Sequence, residues 1–289
     1  MSSQVQAGQG SGAIQAAATQ KFYYRFDRID RVMHSLLMIT FVGCAITGIP
    51  PLFSDHAWAA TLARMLGGFT GAALIHRVCA AIMIVVFVSH VARVFIAAVG
   101  RVGLLPTLWG PDSMVPQPQD AIDIWNQIRW FLGKGPRPQF GRWTYWEKFD
   151  YWAVFWGMFI IGGSGLILWF PTQFAAFMPG WIFNVATVVH GEEALLAVGF
   201  IFTIHFFNGH LRPEKFPMDL VIFTGRISEH ELKEERAVEY GRMVSEGRLS
   251  ATQAPPPGSA AIMFGYIVGG AAVVLGSAVI ALIVFSALS

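Results

Sequence analysis

Five windows of the chain, 32–50, 75–98, 151–170, 182–208 and 260–287, are apolar over about the 20 residues that a helix needs to cross a bilayer. Nothing constrains the fold more. Inside lipid every backbone polar group must be bonded within its own segment, so each window is expected to be a spanning α-helix. Composition agrees: 54% of the 289 residues are hydrophobic and only 13% are charged, against roughly 25% in a soluble domain. The expected fold is an all-α membrane protein, a four-helix transmembrane bundle with a fifth, C-terminal transmembrane helix beside it.

The net charge of +2 does not indicate a nucleic-acid partner, because the basic residues sit in the connections between windows. There they set orientation instead. Four (Lys21, Arg25, Arg28, Arg31) precede the first window, six lie in the connection 99–150 and seven in 209–259, while the opposite loops carry only Arg64 and Arg77. The positive-inside rule then places the N-terminus in the cytoplasm and the C-terminus on the outer side. The two cysteines, Cys44 and Cys79, lie in apolar windows and form no C-x-x-C or C-x-x-C-H motif. Disulfide scaffolds, zinc ribbons and covalent c-type haem are thereby excluded, and any cofactor needs other ligands.

Four regions are expected. Residues 1–20, rich in Ser, Gln, Gly and Ala, read as a disordered tail. Residues 21–210 form the bundle, including the cytoplasmic connection 99–150. Within that connection, 101–118 with its prolines is expected to hold no regular element, whereas 120–132 repeats Ile124, Ile128 and Phe131 at helical spacing and reads as an interfacial helix. Residues 211–259 form a cytoplasmic extension, with a solvated helix at 226–248 and a Pro-rich linker at 254–259. Residues 260–289 form the fifth helix, whose Gly265, Gly269, Gly270 and Gly276 suit close packing against a neighbour.

Histidines carry the functional signal, because an ionisable group inside a bilayer is expensive. Six of the eight fall in or at the ends of the windows: His34, His76, His90, His190, His205 and His210. In the orientation above, His76 and His190 lie near the outer face, and the other four lie toward the cytoplasm. His76 and His90 are 14 residues apart, about 21 Å of rise and about 40° of rotation. His190 and His205 are 15 apart, about 22 Å and about 60°. Both pairs thus hold broadly to one helix face. Two stacked haems held by imidazoles from facing helices need this arrangement. A proton relay, a metal-transport site and plain interhelical hydrogen bonding are the competing readings of the same spacing.

The order of motifs resembles a known family. Arg28-Ile-Asp-Arg-Val-Met-His34 with Ala45-Ile-Thr-Gly48, Leu74-Ile-His76, Gly165-Leu-Ile-Leu-Trp169-Phe-Pro171, Val188-Val-His190, Ile204-His205 and Gly225-Arg-Ile-Ser228 are similar to the gamma (cytochrome b) subunits of membrane-bound formate dehydrogenases and the related hydrogenase and thiosulfate reductase cytochromes. The likeness covers roughly residues 21–245. It implies a haem-binding bundle in a bacterial inner membrane, with N-terminus cytoplasmic and C-terminus periplasmic. It further implies a respiratory-chain electron carrier, the quinone-linked membrane subunit of an oxidoreductase. Its partners would be an iron–sulfur subunit with a catalytic subunit, or a multihaem cytochrome c. Carried over residue by residue, His76 and His190 hold the outer haem b, and His34 and His205 hold the inner one. Quinone, the substrate, reacts near the inner haem.

This chain departs from that pattern in its helix-four spacing of 15 rather than 14, which requires a local bulge or a tilted ring. His90 and His210 are additional, as alternative ligands or as ligands of a third haem. Arg77, next to His76, suits a haem propionate and equally a cation snorkelling at a helix end. Glu147, at the entrance to the third window, is a candidate for quinone-site proton transfer, though acids also favour helix N-termini. The rival functions are a haem-free membrane anchor of a redox complex and a proton or metal-ion transporter using the membrane histidines.

Overall fold

A computed structural model describes residues 20–289; apart from Gln20, the tail expected at 1–20 lies outside the described residues. The helices are Arg28–Leu52 (α1), Ala57–Met65 (α2), Gly68–Val102 (α3), Leu104–Trp109 (α4), Pro118–Phe131 (α5), Tyr145–Trp169 (α6), Pro171–Ala175 (α7), Trp181–Leu211 (α8), Val221–Thr224 (α9), Glu229–Glu235 (α10), Ala237–Ser245 (α11) and Ser259–Leu288 (α12). Of these, α1, α3, α6, α8 and α12 are long and apolar enough to cross a membrane. The chain is an all-α, multi-pass membrane protein. Large apolar side chains such as Val85, Phe159 and Val274 stand exposed on the spans, as lipid-facing residues do.

Local chemistry fixes where the spans begin. Asp27 caps α1, accepting from the Asp30 amide at 2.8 Å while Asp30 accepts from the Asp27 amide at 3.3 Å, a reciprocal pairing that satisfies two orphan donors. Thr144 and Glu147 cap α6 in the same way. Within the spans the α-ladder is interrupted by π turns, at Met158–Gly162 in α6, Ile201–His205 and Phe207–Leu211 in α8, and Gly265–Gly269 in α12.

The spans share one core, in which Val42, Ala45 and Ile49 of α1 meet Val198, Phe202 and Phe206 of α8 and Ala272 and Val279 of α12. α12 is held by its small residues. A Cβ on Gly276 would stand 2.6 Å from the Phe202 ring, and one on Gly269 2.6 Å from Met218 Sδ, so only glycine permits this approach. Trp58 of α2 also donates to Ser286 at 2.8 Å.

At the end of the bundle where α1 begins, the polar connections build a cap. A three-stranded antiparallel sheet, with Arg226–Ser228 (β2), Phe22–Tyr24 (β1) and Gln253–Ala254 (β3) in that order, joins the residues before α1 to the extension and the linker. We call this the sheet end, and the opposite one the far end. The basic stretch before α1 is therefore structured, with Tyr23 packed on Ile227, Leu232 and Met243. The extension is not one solvated helix. It breaks at Arg236 into α10 and α11, which bury Leu232, Met243 and Glu239. Nor is 101–118 irregular throughout: α4 forms with Pro106 in its first turn, where a missing N–H leaves no bond unmade.

Replacing Gly276 by Leu should lower the thermal stability of the detergent-purified chain by roughly 1–3 kcal/mol through overpacking. Gly270, where a Cβ meets nothing within 4 Å, should accept the same change without loss; equal effects at both positions would contradict the packing described.

Candidate functional site

The far end brings His76 of α3 and His190 of α8 together edge-on, ring centroids 6.1 Å apart and planes at 72°. Each ring is fixed through Nδ1. Thr47 of α1 lies 3.0 Å from His76 Nδ1, and because the Thr47 hydroxyl already donates to Gly43 O at 2.7 Å, it can only accept from the ring. His190 Nδ1 donates to Ile161 O at 2.9 Å. That carbonyl is available because Ile161 lies in the π turn Met158–Gly162, where the α-ladder is displaced. With both Nδ1 positions carrying the proton, both Nε2 lone pairs are left free, which is the tautomer a metal-binding imidazole needs.

Glycines make room for these rings. A Cβ on Gly165 would stand 2.9 Å from His190 Cε1, and one on Gly48 3.1 Å from His76 Cε1. The geometry suits one metal centre held from two sides: a ring nitrogen ligates at about 2 Å, so opposed imidazoles stand with centroids about 6 Å apart. Arg77, expected at a propionate, lies with its guanidinium 5.8 Å from the Trp169 ring centroid.

At the sheet end His34, His205 and His210 stand within electrostatic reach of one another. His205 Nδ1 is held at 2.8 Å by Asp150 Oδ2 of α6, the carboxylate–imidazole arrangement that orients a ligand and raises its basicity. The 15-residue spacing from His190 is taken up by the π turn Ile201–His205, which accommodates one residue more than an α turn. Four buried side-chain polar atoms lack a hydrogen-bond partner among the described residues, all at this end: His34 Nδ1, His210 Nδ1 and Asp150 Oδ1 on the spans and Arg226 Nε in β2 of the cap.

His90 stands apart from that group. Its Nε2, the nitrogen left free in the rings above, is bonded at 3.0 Å to the Tyr151 hydroxyl of α6. The role of alternative or third-haem ligand expected for His90 is not favoured, because the ring nitrogen such a ligand would use is engaged by Tyr151. No group of three or more His, Cys, Asp or Glu is placed to hold a metal ion among the described residues, whereas a haem asks for only two axial ligands.

Glu147 does not suit the role of a mobile proton carrier. Its Oε2 accepts from the Thr144 amide and hydroxyl, both at 2.8 Å, and Arg236 grips both oxygens at 2.7 Å. It is the hub of an ion cluster in which Arg25 and Arg142 also bind Glu239, at 2.8 and 3.1 Å. Burial, then the neighbouring Arg236, pushes the Arg25 guanidinium down to about 10, which leaves it charged at neutral pH.

Sequence reasoning missed Thr47, Tyr151 and Ser164, whose hydroxyl lies 3.4 Å from His190 Nδ1, as partners of the histidines. Their signal was present as polar residues in apolar windows at histidine depth, but which residue faces which ring depends on helix rotation. The chain matches no protein-family model and no curated protein. Its class rests on the fold alone, a multi-pass helical membrane protein.

Removing the carboxylate of Glu239 leaves Arg25 buried without its closest carboxylate. Glu239→Gln should cost roughly 3–5 kcal/mol in thermal unfolding of the purified chain; an unchanged midpoint would show that the cluster does not hold the extension to the bundle.

Proposed function

We propose that the chain is a dihaem b-type cytochrome, the membrane subunit that passes electrons between a redox partner and the quinone pool. The observation that carries this reading is the pairing of His76 and His190 at 6.1 Å with both Nδ1–H groups fixed and both Nε2 free. Those two residues hold one haem and His34 with His205 the other, Asp150 orienting His205. Iron ligated by two imidazoles supplies one-electron transfer without opening a coordination position. The protein's part is to fix ring tautomer and orientation through Thr47, Ile161 and Asp150, and to keep the sites dry.

Quinone is assigned to the sheet end. The unpartnered atoms of His34, Asp150 and His210 ask for both donors and acceptors, and a quinone or quinol headgroup offers both. Under this reading the sheet end is cytoplasmic, the membrane is a bacterial inner membrane, and substrate chemistry beyond the quinone couple resides in a partner, an iron–sulfur and catalytic subunit or a multihaem cytochrome c. The likeness to the formate dehydrogenase gamma family noted from the motifs supports the same assignment. His90, with Nε2 engaged, is left out of the ligand set.

A reduced-minus-oxidised spectrum with haem quantitation tests this directly. Two haems b per chain are expected. His76→Ala or His190→Ala should each leave one, as should Gly165→Val, whose side chain displaces the His190 ring. Zero haem in a folded, membrane-inserted preparation would overturn the reading in favour of an anchor or a transporter.

A further inference from the structure

His90 and Tyr151 are used neither by the proposed ligand sets nor by the ion cluster, yet they are a bonded pair of titratable groups inside two spans. Such groups are costly in lipid and commonly mark proton paths. The pair lies on the sheet-end half of α3 and α6. One turn nearer the surface on the same face of α3, Arg93 forms a fork with Asp30 at 2.5 Å and Asp27 at 2.6 Å, at the cap of α1. These three side chains are 37–53% exposed, so the fork reaches water. Its charges also reach the ring: Arg93 and Asp30 both act electrostatically on His90. Asp27, Asp30, Arg93, His90 and Tyr151 thus form a polar file from the surface into the membrane.

The file is closed in the other direction. One turn deeper, Phe87 of α3 packs edge-on against Phe155 at 5.0 Å and Phe159 at 6.1 Å between centroids, and Phe155 also packs at 5.0 Å on the Tyr151 ring. Three aromatic rings offer no hydrogen-bonding group through which a proton could continue. The path opens at the sheet end only, which suits proton exchange with a bound molecule and not transport across the membrane. The residue next to Tyr151 is Asp150, whose Oδ1 is buried without a partner and whose Oδ2 holds His205. Tyr151 and Asp150 are successive residues of α6, at one depth and about 100° apart around the helix, so the proton file against α3 and the proposed quinone site against α8 lie side by side at the same level.

We propose that His90 and Tyr151 are the proton-transfer pair of the quinone site, loaded and discharged through Arg93, Asp27 and Asp30 at the sheet end and sealed by Phe87, Phe155 and Phe159. This rests on the quinone-linked reading above. When a quinol is oxidised, its O–H bonds break and it gives up two electrons and two protons. The electrons go to a one-electron acceptor, the haem iron of that reading. For each of the two protons in turn, the Tyr151 hydroxyl takes up a proton from the quinol oxygen as it hands its own to His90 Nε2, and the imidazole releases one toward the carboxylates of Asp27 and Asp30 beside Arg93 before the next follows the same route. Quinone reduction runs the same transfers in reverse.

The test uses the full chain in proteoliposomes, reduced by menadiol and, separately, by decylubiquinol, with a pH dye trapped inside. Tyr151→Phe and His90→Gln should each retain two haems b per chain and slow haem reduction by about 10²-fold. The double variant should be no slower than the worse single one. Proton release should fall on the sheet-end side in vesicles of either orientation. Should Tyr151→Phe fail to assemble, Arg93→Gln, at the surface, carries the test with a several-fold slowing. Two haems with unchanged rates, or proton release at the far end, would overturn the proton-pair assignment and leave the cytochrome standing. No haem, or no reduction by either quinol, would overturn the function itself and this inference with it.

Discussion

In lipid the hydrophobic effect no longer drives one helix against another, so the position of every span rests on close small-residue contacts and on polar bonds between helices. Here the histidines supply most of those bonds. His76 ties α3 to α1 through Thr47, His190 ties α8 to α6 through Ile161, His205 ties the same two helices again through Asp150, and His90 ties α3 to α6 through Tyr151. Arg93 adds a second tie from α3 to α1. The bonds that locate the helices also place the Nδ1 proton of His76, His190 and His205. Structure and candidate site are thus one set of interactions, and α12, which contributes no histidine, is held differently, by the glycines that meet Phe202, Phe206, Met218 and Phe223.

How much of this could be read from the sequence follows from the range of each signal. The spans were legible because a run of about 20 apolar residues has few alternatives in water or lipid. The helix expected at 120–132 appears as α5, and of the glycines expected to pack in the fifth span Gly265, Gly269 and Gly276 do so while Gly270 faces open space. Elements whose signal is only a few residues long were not legible. Each strand of the sheet has two or three residues, too short for a period to emerge, and their pairing depends on three segments distant in sequence. Histidine depth could be counted, since rise per residue is nearly fixed. The partner of each ring could not, because the π turns of α6 and α8 shift rotation where no residue type announces them. His90 shows the difference: its depth matches His205, yet its rotation gives it to Tyr151. Glu147 shows another limit, since an acid at a helix start reads alike whether it caps the helix or carries protons, and only Arg236, 89 residues away, decides.

The two ends of the bundle are chemically unequal, and this inequality bears most on mechanism. At the far end, His76 and His190 are anchored by a hydroxyl and a carbonyl, neutral acceptors that fix a ring without offering it a place to send a proton. Such a site suits an electron carrier that is to keep its protonation state. At the sheet end a carboxylate replaces the neutral acceptor on His205, three buried polar atoms on the spans lack partners, and a polar file leads from Tyr151 and His90 to the surface. Charge entering that end as an electron can be balanced there by a proton from the same side. Between α3 and α6 the rings of Phe87, Phe155 and Phe159 lie between the two regimes, and under the proposed reading electrons, which tunnel through packed side chains, would pass them, while the file of His90 and Tyr151 meets no further hydrogen-bonding group there. A chain built to move protons across the membrane would need the reverse, a continuous polar file through its middle. Between α3 and α6 the middle of this one is aromatic.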